Sequence, residues 1–193
     1  MKKLFFAIAL LLVGVSTNAQ EFKPVKLGLG LGYAAPSDGG GGIAVYLEPG
    51  YRINDQILIG LRIESAAMAK NVGGTEASIK ATGSYTLNGQ YYFNNNQFRP
   101  FVGLGVGLFA NAALETTDPS TGSGTISASA GNGIGFYPRV GFDFGHFNFI
   151  FDYNIVPPTD EVEINGQTVA LGEDVKNSYM SIKIGVSIGG GRN

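Results

Sequence analysis

Ile57-Leu58-Ile59-Gly60-Leu61-Arg62-Ile63-Glu64 alternates bulky aliphatic residues with everything else. Successive side chains of a β-strand point to opposite sides of its sheet, so Ile57, Ile59, Leu61 and Ile63 share one face. Leu58, Gly60, Arg62 and Glu64 share the other. Both charges therefore lie away from the aliphatic stripe, and the same division can be followed outward along the chain.

Toward the N-terminus, Ile43 to Ile53 and Val25 to Tyr33 keep the period of two. Toward the C-terminus it returns in Ile79 to Phe93, Val102 to Leu108, Ile134 to Phe144, Phe147 to Ile155 and Met180 to Ile188. Across these eight segments the apolar face holds no Asp, Glu, Lys or Arg. The opposite face holds Lys26, Glu48, Arg52, Arg62, Glu64, Lys80, Arg139, Asp143, Asp152 and Lys183.

A soluble, lipocalin-like barrel would show the same alternation with its apolar side inward. Connection lengths separate the two. The links after segments two, four and six are short: Asn54 to Gln56, Asn94 to Arg99, and Gly145-His146. Those after segments one, three, five and seven run roughly from Ala35 to Gly42, Met68 to Glu76, Ala113 to Asn132 and Pro157 to Asn177. Barrels of bacterial outer membranes have this rhythm of short periplasmic turns and long external loops, and they tolerate no cation on the lipid face near the midplane, where one costs about 2–4 kcal/mol. Strands of about 9–11 residues suffice to cross. The fold expected is all-β: an eight-stranded antiparallel up-and-down transmembrane β-barrel over residues 20–193.

The start of the chain agrees. Met1-Lys2-Lys3 is basic, Leu4 to Val15 is apolar, and Ser16-Thr17-Asn18-Ala19 is small and polar. That order reads as a secretory signal peptide over residues 1–19, cut after Ala19. The apolar run is too short to anchor a helix, which needs about 20 residues. The absence of cysteine excludes disulfides, a thiol nucleophile and lipidation at cysteine. A net charge of −2 without a basic run makes nucleic acid an unsuitable partner.

Two stretches carry a family resemblance. Leu47-Glu48-Pro49-Gly50-Tyr51-Arg52-Ile53-Asn54-Asp55-Gln56-Ile57-Leu58-Ile59-Gly60-Leu61 is a strand, tight turn and strand that resembles the small outer-membrane barrels of the OmpX, OmpA and OmpW type. Arg99-Pro100-Phe101-Val102-Gly103-Leu104-Gly105-Val106-Gly107 resembles the fifth strand of that group. The resemblance implies an outer-membrane location, lipid and lipopolysaccharide as surroundings, and often an adhesive or protective role. It also implies an aromatic last residue, where this chain has Ile188-Gly189-Gly190-Gly191-Arg192-Asn193.

Eight strands enclose a space that side chains can fill. If Gly145-His146 is a two-residue hairpin loop, Arg139 lies opposite Asp152; pairing Ile53 with Ile57 puts Glu48 opposite Arg62. Charges in such an interior need partners, so Glu48–Arg62 and Arg139–Asp152 are expected as interior ion pairs that plug the barrel. Lys26, Arg52, Lys80 and Lys183 are further inward cations, with Glu64 and Asp143 as anions, and the lumen leans positive. Inward glycines are expected to make room for Tyr46, Tyr92 and Tyr137. Pro49 and Pro138 fall on the lipid side inside strands, where bulges are expected. Tyr33, Tyr51, Tyr91, Phe93, Phe136, Phe144 and Phe147 read as an interfacial girdle.

No catalytic set, cofactor or metal site is expected. The one histidine, His146, sits in a short turn, away from the external half of the barrel. One His without Cys makes no transition-metal cluster, and Asp160, Glu161 and Glu163 lack calcium-loop spacing. Gly28 to Gly32 and Gly131 to Gly135 have no helix after them, so neither cradles a dinucleotide. Thr116 to Gly133, rich in Ser, Thr, Gly and Ala, reads as a mobile loop. Asn165-Gly166 between alternating arms reads as a hairpin that continues strands seven and eight above the membrane, where it offers a surface partner the 157–177 segment. The leading function is a monomeric structural or surface-interaction barrel. A narrow channel or carrier for small solutes or hydrophobic compounds comes second, and a lipid-modifying enzyme third.

Overall fold

The computed structural model describes residues 22–37, 39–72, 76–117, 126–164 and 167–192; the proposed signal peptide and the Asn165-Gly166 tip lie outside them. Ten strands follow in order: β1 Phe22–Pro36, β2 Gly41–Arg52, β3 Ile57–Val72, β4 Glu76–Tyr92, β5 Phe98–Thr117, β6 Ile126–Phe144, β7 Phe147–Asn154, β8 Thr159–Ile164, β9 Gln167–Val175 and β10 Tyr179–Arg192. Eight of them close an antiparallel barrel in which each pairs with its sequence neighbour, and β10 takes the place after β7 and seals against β1.

The short turns set the register. Asn54 Oδ1 accepts the N–H groups of Gln56 at 2.9 Å and Ile57 at 2.8 Å, which tightens the link between β2 and β3. Gly145, at φ +57°, lets β6 fold straight back so that Phe144 faces Phe147. Along the hydrogen-bonding direction, Arg52 leads through Leu58, Gln90, Gly103, Arg139, Asp152, Ser181 and Ala34 to Gly42. The circuit returns to β2 ten residues away, from 52 to 42. A stagger of that size in eight strands corresponds to a tilt of about 40°.

The faces divide as lipid solvation requires. Ile188 is 69% exposed and Ile134 68%, whereas Arg62, Asp143, Asp152 and Lys183 are fully buried. Bulky aliphatics point out and charges point to the axis, the reverse of a lipocalin-like barrel. Near the short turns Tyr51, Tyr91, Phe93, Phe98, Phe144 and Phe147 are exposed, and Phe142 stacks on Phe149 at 5.5 Å.

Three expectations need correction. Of the stretch expected as a mobile loop from Thr116 to Gly133, residues 116–117 and 126–133 belong to β5 and β6, which stay paired out to Thr116–Ile126; residues 118–125 lie outside the described residues. The strands do not bulge at Pro49 or Pro138. Both keep register, with Pro49 opposite Leu27 and Pro138 opposite Leu104, and each turns its missing N–H toward the neighbour on its other side, where the ladder lapses and then resumes. The hairpin arms β8 and β9 form a separate two-stranded sheet instead of prolonging β7 and β10, because Pro157-Pro158 interrupts the ladder after Ile155.

Candidate functional site

The lumen is the site, and alternation builds it: each strand delivers every second side chain to the axis. Among the described residues six buried cations, Lys26, Arg52, Arg62, Arg99, Arg139 and Lys183, share this interior with four carboxylates, Glu48, Glu64, Asp143 and Asp152.

Toward the loop end, Arg62 lies 2.8 Å from Asp152 and 3.4 Å from Glu64. Lys183 bridges the same two carboxylates, 2.8 Å from Asp152 and in direct contact with Glu64. Tyr179 donates to Glu64 at 2.8 Å, Ser181 to Asp152 at 2.5 Å, and Asn154 to Asp152 at 3.0 Å. The Arg62 guanidinium sits 3.6 Å from the ring centre of Tyr137, a desolvated cation–π contact of the strong class. Each carboxylate thus meets several donors, which repays the removal of these charges from water.

A second group lies beside it. Arg139 Nη1 meets Glu48 at 2.7 Å, and Gln90 donates to the other Glu48 oxygen at 2.7 Å. Near the short-turn end, Lys26 pairs with Asp143 at 2.6 Å, and Tyr92 donates to the same carboxylate at 3.1 Å. Arg52 covers the Tyr92 ring at 4.2 Å. Arg52 and Arg99 both donate to the carbonyl of Gly190, which the positive φ of Gly189 and Gly190 turns inward.

Apolar layers separate the charged ones. Phe109, Met68, Val156, Tyr137 and Tyr179 cluster at the loop end, and Tyr46, Leu58, Tyr92, Phe101 and Ile150 cluster lower down. Missing side chains make room for this packing. A Cβ on Gly105 would stand 2.1 Å from the Tyr137 ring, and one on Gly185 would stand 2.3 Å from the Tyr46 hydroxyl. Comparable space beside Tyr92 is not glycine-made; Phe101 and Phe109 take the room left by Gly141 and Gly135.

The structure places the expected pairs in register but exchanges their partners. Arg139 lies opposite Asp152 on the neighbouring strand, yet its guanidinium crosses to Glu48, while Asp152 meets Arg62 and Lys183. Nor do Glu48 and Arg62 bond each other. A long guanidinium arm overshoots the adjacent residue, whereas the short Asp152 stays near its own wall. Lys80 is half-buried and donates to the backbone of Lys176 at 3.1 Å, outside the central lattice. Arg99 ends a short link in the sequence, yet its phase with Gly103 and Gly105 marks the inward position it takes; Tyr179, also buried, follows a long loop and carries no such signal. His146 occupies the β6–β7 turn, with Nδ1 3.0 Å from the Ser187 carbonyl. Among the described residues no group of His, Cys, Asp and Glu is arranged to hold a metal.

A closed eight-stranded barrel with this inside-out polarity has counterparts. The family described as outer membrane protein beta-barrel domain matches residues 5–188. The chain belongs to this family. Its place is accordingly the bacterial outer membrane, with the short turns on the periplasmic side. No curated protein sequence matches it. Among solved structures, Ail, the attachment invasion locus protein of Yersinia pestis, crystallised with the heparin analogue sucrose octasulfate, is similar with a TM-score of 0.54 at 10% identity, over 86% of this chain and 99% of Ail. OprG from Pseudomonas aeruginosa is similar with a TM-score of 0.51 at 17% identity, over 87% of this chain and 98% of OprG. At such identities the likeness to these outer-membrane barrels is one of fold.

Proposed function

We propose that this outer-membrane barrel is a non-conducting, non-enzymatic protein whose lumen serves as a structural plug and whose external strands meet partners at the cell surface. The observation that carries the reading is the lattice of Arg62, Lys183, Glu64 and Asp152, buried and drawn from three strands, β3, β7 and β10. Ion pairs bridged across the lumen would have to part before a hydrated ion could pass, and the apolar cluster around Phe109 and Met68 adds to the barrier. Ail, an attachment protein of the same fold, is in keeping with a surface role.

Planar-bilayer recording of the purified barrel tests the plug. The expected trace shows no stable openings at any holding potential; a steady ohmic step would reverse the assignment. A narrow carrier is the second reading, favoured by one observation: Arg139 Nε and Nη2, Asn88 Nδ2 and Ser84 Oγ are buried without a partner. Groups of that kind call for internal water.

A further inference from the structure

The buried charges of the lumen balance layer by layer until its periplasmic end. At the loop end Arg62 and Lys183 are matched by Glu64 and Asp152, and Arg139 is matched by Glu48. What remains is Lys26, Arg52 and Arg99 against one carboxylate, Asp143. Among the described residues, the positive surplus of the buried interior therefore sits beside the short turns, where Arg52 ends β2 and Arg99 stands second in β5.

The three cations crowd one aromatic ring. Arg52, Lys26 and Arg99 place their charged groups 4.2, 5.5 and 6.0 Å from the centre of Tyr92. Asp143 serves Lys26 at 2.6 Å and lies 3.7 Å from Arg99. Among the described residues Arg52 pairs with no carboxylate. Its Nη1 and Nη2 donate to the carbonyls of Gly190 and Asp55, and its Nε is buried without a partner. The Asp55 side chain accepts from Asn95 instead, at 3.1 Å. A guanidinium that is 1% exposed and meets only neutral oxygens is an uncompensated buried charge.

Arg99 brings a second guanidinium to the same Gly190 carbonyl, at 3.0 Å. Two like charges thus converge on one neutral acceptor. Coulomb repulsion opposes that arrangement, and an anion between them would turn it into attraction. The acceptor is loosely held. The β1–β10 register shifts here, so Gly190 alone faces Pro24 and Val25, and Pro24 has no N–H to offer it. Gly189 and Gly190 stand at φ +76° and +74°, and without side chains they leave the peptide free to turn aside.

We propose that this end of the lumen binds one small tetrahedral oxyanion, phosphate or sulfate, between the guanidinium groups of Arg52 and Arg99. Planar forks of N–H donors match the oxygens of such an ion, and a dianion cancels the excess of three cations over one carboxylate. Lys26 and Arg99 are 6% and 8% exposed, so the way in from the periplasm is narrow and admits a free ion rather than a chain. The ion completes the plug, and its site does not depend on the surface role of the outer strands.

The test uses the full-length barrel in zwitterionic micelles at low ionic strength, titrated with inorganic phosphate and, separately, with chloride. Calorimetry is expected to show saturable binding of phosphate, with chloride weaker by at least about tenfold. Arg52→Gln and Arg99→Gln should each weaken phosphate by at least about tenfold, whereas Lys80→Gln, outside the central lattice, leaves it unchanged. If a glutamine variant fails to fold, Arg52→Lys and Arg99→Lys keep the charge, lose the fork, and should weaken phosphate more than chloride. Phosphate should also raise the urea midpoint of the wild type and not that of the Arg52 variants, and should shift the Gly190 amide resonance while that of Ile134, at the loop end, stays in place. No saturable binding, equal affinity for the two ions, wild-type affinity in the variants at either arginine, or shifts confined to the loop end would each overturn the site.

Discussion

Tyr137 organises the lumen because Gly105 leaves it room. The ring covers Arg62 from one side, and its hydroxyl lies 3.2 Å from Thr86 Oγ1. Gly105→Ala would drive a methyl into a ring that has no flexible end to yield, so overpacking is expected to cost about 1–3 kcal/mol, measured as a lowered urea midpoint in micelles. Arg139 and Glu48 make a sharper case. Truncating either alone strands its buried partner and should cost about 3–5 kcal/mol, whereas Arg139→Met with Glu48→Leu should recover much of the loss. A double-mutant cycle on the same midpoints is expected to give a large coupling for Arg139 with Glu48 and a smaller one for Arg139 with its ladder neighbour Asp152. Equal couplings would return the pairing to the register. Which residues face the axis was legible in the sequence, because the period of two decides it. Which atoms they touch was not, since a guanidinium can reach past its neighbour to any wall of a narrow lumen.

At the scale of the element, proline explains where ladders lapse. Pro138 and Pro157 both stand where β6 and β7 would exchange bonds, as the bonded pair at Phe136 and Ile155 fixes the alternation. Pro157→Thr restores a donor opposite Ile134. The expected outcome is slower amide exchange at Ile134 and Asn132, as the segment after β7 zips onto β6; unchanged exchange there would show that something other than the missing N–H holds it off. The membrane-crossing parts of the strands were plain from their aliphatic stripe, but the external parts were not. Beyond the bilayer β5 and β6 no longer need bulky residues on one face, so Ser127, Ala128 and Ser129 pair as well as any while looking like loop. The Asn165-Gly166 hairpin was legible for the opposite reason: its alternating arms carry their own signal, although that signal was silent about which sheet they would join.

At the scale of the whole molecule, the lattice joins distant parts of the chain. Arg62 and Asp152 are 90 residues apart, Lys26 and Asp143 117, and Lys183 and Glu64 119. Each of these contacts requires the ring to be complete. Unfolding in urea, followed by both tryptophan-free tyrosine fluorescence and circular dichroism, is expected to show one coincident transition; separated transitions would mean that the external sheet and the lumen melt independently.

The circuit of ten residues from Arg52 back to Gly42 therefore reaches beyond shape. Until β10 arrives, Glu64 and Asp152 lack Lys183, and a half-built wall would present bare carboxylates and guanidinium groups to hydrocarbon. No partial sheet is a comfortable resting place in a bilayer. The polypeptide has to travel unfolded and be kept so in transit, and its passage into the membrane is committed only when the last ribbon meets the first.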